Sequence, residues 1–314
     1  SLGIETAIQR QIKMPLLWAG TRAVDVSVIG VPCDLGAEIA GARDAPLEIR
    51  RRTAGFAYEC DFATGRPLGW YDATHRERVL EGVTFADLGD VRFHYGEALD
   101  AVLERTTEAT RGALDQGSFP VVIGGDRTVA LGPIRALADR GPVAVVWASA
   151  VGGPGTATAW RAALRAAALP HVERLVHVGA RDTAAAAPAA DGIAVVTVAE
   201  LRERGTAALV DVLPPELPCY VSLDIGALDP AHAPGVAVPY AGGLATAELT
   251  ALLRELGGHR EVLGMDVCDV APARDPGLVT VATAAHLLIA GLGAFVRRAR
   301  GDDDQDDNGQ GERE

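Results

Sequence analysis

Apolar, β-rich runs alternate with helical patterns along nearly the whole chain, and this alternation limits the fold more than any other feature. The runs fall at 24–31, 83–88, 120–124, 143–148, 174–179, 193–198, 219–224 and 261–267. Helical patterns lie between them at 45–52, 97–116, 129–140, 160–168, 206–213, 246–256 and 279–298. Many of the runs are continuous rather than alternating, as strands covered on both faces should be. The order predicts an α/β protein with a parallel sheet and helices on both sides. No repeat or linker divides it, so residues 1–300 read as one domain. From periodicity alone, an open doubly wound sheet and a (β/α)8 barrel are both allowed.

Hydrophobic residues make up 48% of the chain but aromatics only 5%, so Ala, Gly, Val and Leu fill the core. The net charge of −13 argues against nucleic acid as a partner, because neutralising phosphates needs clustered Lys and Arg. Part of that charge sits in 301–314, an acidic tail expected to be disordered and solubilising. Cys33, Cys60, Cys219 and Cys268 form no CxxC pair, so reduced thiols are expected rather than a zinc knuckle or a disulfide framework. No apolar run of about 18 residues and no signal peptide is read, so the expectation is a cytoplasmic protein without a membrane partner. Ser1 in place of Met reads as a processed or trimmed start.

In either architecture ligands collect beyond the C-terminal strand ends. The segments there are "PCDLGAEIAGAR" (32–43), "GGDRT" (124–128), "SAVGGPGT" (149–156), "DIGALDPAHAPG" (224–235) and "CDVAPARDPG" (268–277). The glycine run in 152–156 lacks the Gly-Lys-Ser/Thr ending of a phosphate loop. No cofactor-binding motif is present, and no cofactor is expected.

These segments, in this order, resemble the ureohydrolase family of arginases, agmatinases and guanidino-acid hydrolases. The resemblance runs from about residue 26 to 292, through "VIGVPCDLG…GARDAPLEIR", "FADLGDV", "GGDRT", "SLDIGALDPAHAPGVAVPYAGGL" and "GMDVCDVAP". It implies a three-layer, arginase-like open sheet of about eight mainly parallel strands with helices on both faces. It also implies a homo-oligomer, trimer or hexamer.

The family hydrolyses guanidino groups with two bridged manganese ions, which turn bound water into hydroxide. Carried over residue by residue, its Gly-Gly-Asp-His ligand falls on Arg127, a permanent cation that cannot ligate. Its Asp-x-His-x-Asp ligands fall on Ser149, Val151 and Gly153, and its Asp-x-Asp ligands on Asp224 and Gly226. Only Asp224 survives of six, so no metal is expected. The carboxylate that holds the substrate's guanidinium corresponds to Asp269, and the proton-transfer His has no counterpart. Arg127 is expected to stand in for the metals by bridging Asp224 and either Asp269 or Asp229.

Asp224, Arg127 and His232 are therefore the catalytic candidates; Asp269, Asp126, Asp229, Ser149 and Tyr240 are the substrate-binding ones. Each has a structural alternative. Asp224 and Asp269 could simply pair with Arg127, Asp126 could orient its loop, and Asp229 could shape the turn at Pro230. His232 could be a plain rim residue, and Cys33 and Cys268 read as packed thiols. Two functions stay open. One is an enzyme that keeps the pocket, works on a small molecule by proton transfer (elimination, cyclisation, isomerisation or hydrolysis) and serves specialised bacterial metabolism. The other is a silent homologue acting as a binding or scaffold protein; a manganese amidinohydrolase using other ligands is a third reading, for which the same loops offer no replacement ligands.

Overall fold

The computed structural model describes residues 24–53, 59–61, 67–151, 158–181 and 192–296. The 301–314 tail, Gly153 and the 152–156 glycine run lie outside these residues. The strands are β1 (Val26–Gly30), β2 (Glu59–Cys60), β3 (Pro67–Asp72), β4 (Glu77–Val79), β5 (Phe85–Asp90), β6 (Phe119–Ile123), β7 (Val143–Ala148), β8 (Val172–Ala180), β9 (Ile193–Thr197), β10 (Cys219–Asp224) and β11 (Val262–Cys268). The helices are α1 (Ala45–Thr53), α2 (Leu99–Asp115), α3 (Leu131–Arg135), α4 (Thr158–Ala167), α5 (Val198–Arg204), α6 (Ala207–Val210), α7 (Thr246–His259) and α8 (Val279–Phe295).

Eight strands form one sheet in the order β5-β1-β6-β11-β10-β7-β8-β9, and every pairing in it is parallel. The sheet is open, with β5 and β9 at its edges, which decides against the barrel. All eight expected runs are strands of this sheet. Their continuity has a direct cause in β7. Val143, Val145 and Trp147 enter one core with Leu103, Ile134 and Trp160, while Ala144, Val146 and Ala148 enter the other with Leu252 and Leu287. Successive side chains alternate faces, and helices cover both, so every position is apolar.

The differences lie outside the sheet's centre. β2, β3 and β4 form a small antiparallel sheet in a stretch without an expected element. The 129–140 pattern is broken: a 3₁₀ turn at Arg127–Ala130, α3, then a 3₁₀ turn at Ala136–Arg140. Gly132-Pro133 weakens a regular helix there by low propensity and a missing donor. α5 follows β9 directly, because Thr197 and Glu200 form a capping box.

The expectation about apolar runs needs correction. Pro276–Phe295 is long and apolar enough to cross a membrane by composition, and half of it is buried inside the protein. Val281, Ala284, Leu288 and Leu292 join the core beneath the sheet, so this helix is apolar because α1 and α7 pack beside it.

Candidate active-site cavity at the strand ends

The turn after β6 is built by close approach. A Cβ on Gly125 would lie 1.7 Å from the Cys33 carbonyl oxygen, so only glycine fits. Asp126 then caps the 3₁₀ turn, its carboxylate accepting from the Thr128 N–H (2.8 Å) and from the Gly36 N–H (2.8 Å) of the neighbouring rim loop. Burial raises the Asp126 pKa, and the Thr128 and Gly36 donors work against that rise. Asp126 thus fastens two rim segments together at the cavity edge.

Arg127 is 2% exposed and points into a polar row beneath that rim. The row is set by register: Asp266 of β11 pairs with Ser222 of β10, Ser222 with Trp147 of β7, and Trp147 with His177 of β8. The guanidinium lies over the Trp147 ring, 3.6 Å from its centroid. Nη1 donates to Ser222 Oγ (2.8 Å) and Cys268 Sγ (3.1 Å), and Nη2 to the Ser222 carbonyl (3.3 Å). The carboxylate within ion-pair distance is Asp266, at 3.7 Å. This corrects the expected bridge to Asp224 and Asp269 or Asp229. Among the described residues the guanidinium pairs with a strand carboxylate instead, because its side chain runs under the rim and along the sheet. Asp266 is fully buried, and burial pushes its pKa up to about 6 against the pull of Arg127 and Ser222.

Asp224 ends β10 and accepts from the Gly226 N–H (2.7 Å). Asp269 is one residue past β11, in the left-handed region (φ 64°), its N–H bonded to the Gly125 carbonyl (2.8 Å). Both side chains line the same cavity, and the charge of Asp224 acts on Asp269. Burial raises both pKa values, Asp269 well above the usual range because the Asp224 charge adds to it. Asp224 is held back by Arg127, the Gly226 N–H and Arg181. Ionising one carboxyl group therefore makes the other harder to ionise, and the two titrate as a pair.

This pair, Asp126, Arg127 and Tyr240 line a cavity of about 100 Å³, with Glu38 at its mouth. The other candidates stand elsewhere. Ser149 Oγ is buried 2.9 Å from His177 Nε2 and donates to the Val151 carbonyl (3.2 Å). Asp229 accepts from the N–H groups of Ala231, Gly242 and Gly243, shaping the 229–243 loop. His232 Nδ1 faces Thr246 Oγ1 at 3.3 Å, away from the cavity wall.

Four residues of this region escape sequence reasoning. Asp266 and Ser222 look like polar interruptions of apolar runs, and only register shows that they meet. His177 is buried, its pKa pushed down to about 3 by burial and then by the Arg127 charge, so it is a neutral core imidazole. Arg181 donates to the carbonyls of Gly179, Gly226, Ala227, Leu228 and Tyr240 and so fixes the wall of the cavity.

The side chains present do not fit a pair of bridged metal ions. Among the described residues no group of three His, Cys, Asp or Glu could hold a metal. The Ser149 hydroxyl is committed to His177 and Val151, Val151 and Gly226 carry no donor, and Arg127 brings a fixed positive charge.

The fold and its strand-end loops have known counterparts. The chain is 28% identical over 295 residues to formimidoylglutamase of Halalkalibacterium halodurans, covering 87% of this chain and 88% of that one. It is 30% identical over 298 residues to proclavaminate amidinohydrolase of Streptomyces clavuligerus, covering 89% and 90%. The solved structure of the latter superposes with a TM-score of 0.71 over 88% of this chain and 93% of that chain. A hypothetical agmatinase from Burkholderia thailandensis matches with the same TM-score and 27% identity, over 87% and 86%. Residues 24–293 match the arginase family model, and the chain belongs to the arginase family.

Proposed function

We propose that this chain is a repurposed arginase-family enzyme that works on a small molecule by metal-independent acid/base chemistry. The observation that carries the reading is the Asp224–Asp269 pair at the cavity floor, where one carboxyl group can give a proton while its neighbour takes one. Arg127 supports it by filling a ligand position with a cation, and Asp126 and Arg181 by fixing the surrounding loops. Relatives are named proclavaminate amidinohydrolase, agmatinase and guanidinobutyrase, so small guanidino and amidino compounds are the first to try. Assembly as a trimer or hexamer belongs to the same proposal and is read by sedimentation.

The test is turnover of such a panel followed by proton NMR, with EDTA and with manganese. Turnover that survives EDTA and is lost in both Asp224→Asn and Asp269→Asn supports the proposal. Urea release that appears only with manganese would overturn it.

A second reading, a silent binding protein, is favoured by one observation. The cavity of about 100 Å³ is smaller than the roughly 300–1,000 Å³ of sites for drug-sized ligands. Binding without turnover across the panel would select this reading.

A further inference from the structure

We propose that Trp147, Ser222, Asp266 and Cys268 form a guanidinium receptor whose resident ligand is the chain's own Arg127, and that this internal complex clamps four neighbouring strand ends. Each part of a planar cation is met by a different group. Its face rests on Trp147, 3.6 Å away. Nη1 finds Ser222 Oγ and Cys268 Sγ at 2.8 and 3.1 Å, and Nη2 finds the Ser222 carbonyl at 3.3 Å. Asp266 supplies the counter-charge at 3.7 Å and is itself held by Ser222 Oγ, which lies 2.8 and 2.7 Å from its two oxygens. Ser222 accepts from the guanidinium and donates to the carboxylate, so one hydroxyl relays the charge between them.

The receptor's parts come from β7, β10 and β11, while Arg127 comes from the turn after β6. These four strands are adjacent in the order β6-β11-β10-β7. The clamp therefore spans the centre of the sheet, directly under the cavity that Arg127 also lines. The ligand class follows from the geometry. A guanidinium or amidinium offers a flat face and forked donors, whereas an ammonium offers neither. This inference makes no claim about turnover and stands or falls apart from the acid/base reading.

Arg127→Ala empties the receptor and opens it to the cavity. Its thermal unfolding is followed with guanidinium chloride at about 20 mM, far below denaturing levels, against sodium chloride of equal strength. The expected result is a variant that melts well below the unmodified protein and gains several degrees with guanidinium but not with sodium. The unmodified protein, whose receptor is full, gains nothing from either salt. An unchanged melting temperature in Arg127→Ala, or guanidinium lowering both proteins alike, would overturn the proposal. If Arg127→Ala does not fold, Arg127→Lys decides. Melting below the unmodified protein supports recognition of the planar group, and equal melting overturns it by showing that charge alone suffices.

Discussion

The carboxylate of Asp266 lies 3.7 Å from the Arg127 guanidinium, and both side chains are buried at the centre of the sheet. Neither charge has access to water, so each depends on the other and on Ser222 between them. Breaking such a pair costs more than the pair contributes, because the survivor is stranded in a medium of low polarity. Arg127→Met, which leaves the Asp266 carboxylate buried without its counter-charge, is expected to destabilise the protein by about 3–5 kcal/mol. Arg127→Met with Asp266→Asn removes both charges and is expected to recover part of that loss. Urea unfolding of the two single variants and the double variant forms the cycle. Additive losses would show that the two side chains act independently.

The turn leading into Arg127 supplies a second expectation. Gly125 sits where a Cβ would meet the Cys33 carbonyl at 1.7 Å, and Asp126 N–H bonds that same carbonyl at 2.8 Å. A methyl group there forces the β1 and β6 rim segments apart. Gly125→Ala is expected to cost several kcal/mol or to prevent folding, whereas Gly141→Ala, with no atom within 4 Å of its added Cβ, costs only the strain of its positive φ. Denaturation midpoints of the two variants give the comparison, and equal midpoints would remove the close-approach argument.

The strands of the main sheet are legible in the sequence because their runs are mostly apolar, most completely in central strands such as β7, whose two faces are both buried. The same rule hides β2, β3 and β4. All three are short, and the side chains of β3 and β4 face water in part, as the 60% exposure of Tyr71 shows. In the site, Asp126, Arg127, Asp224 and Asp269 are legible because each lies at or just past the end of a strand. The partner of Arg127 is not, because Asp266 becomes its neighbour only through the pairing of β6, β11 and β10. The resemblance pointed instead to the rim carboxylates, and a side chain's direction is fixed by packing that a linear motif does not carry. His232 shares a rim segment with Asp224, yet its ring turns to Thr246.

His177 and Asp266 impose opposite pH dependences. The His177 pKa falls from 6.5 to about 3 in the folded state, so below pH 6.5 the unfolded chain binds a proton that the folded one refuses. Stability from this group is full above pH 6.5 and is lost at about 1.4 kcal/mol per pH unit on the way down. The Asp266 pKa rises from 3.8 to about 6, so its stabilisation is full below pH 3.8 and is lost as pH rises through 6. Between pH 4 and 6 the two slopes offset each other. His177→Gln removes the first, so its stability, relative to the unmodified protein, is expected to gain as pH falls from 6.5 toward 4. Asp266→Asn removes the second, and its relative stability is expected to fall over the same range. Urea unfolding at half-unit pH steps gives both difference curves, and curves of the same sign would refute the assignment.

Asp269 offers the sharpest separation of structure from function. Its carboxyl group faces Asp224, and the backbone holds it at φ 64°. Burial and the Asp224 charge raise its pKa well above the usual carboxylate range, so the folded state prefers the protonated form and stability is lost as pH rises through that raised value. An amide copies the shape of the protonated acid and carries no charge at any pH. Asp269→Asn is therefore expected to differ little from the unmodified protein at pH 4, near the ordinary carboxyl value of 3.8, and to melt above it at pH 9, while abolishing turnover of whatever the cavity accepts. Such a gain of stability with loss of activity is the signature of a group kept for chemistry rather than for packing. Differential scanning calorimetry at the two pH values reads the first half, and the NMR assay reads the second. A variant that loses stability at pH 9 would make Asp269 a structural residue and leave the cavity without its acid.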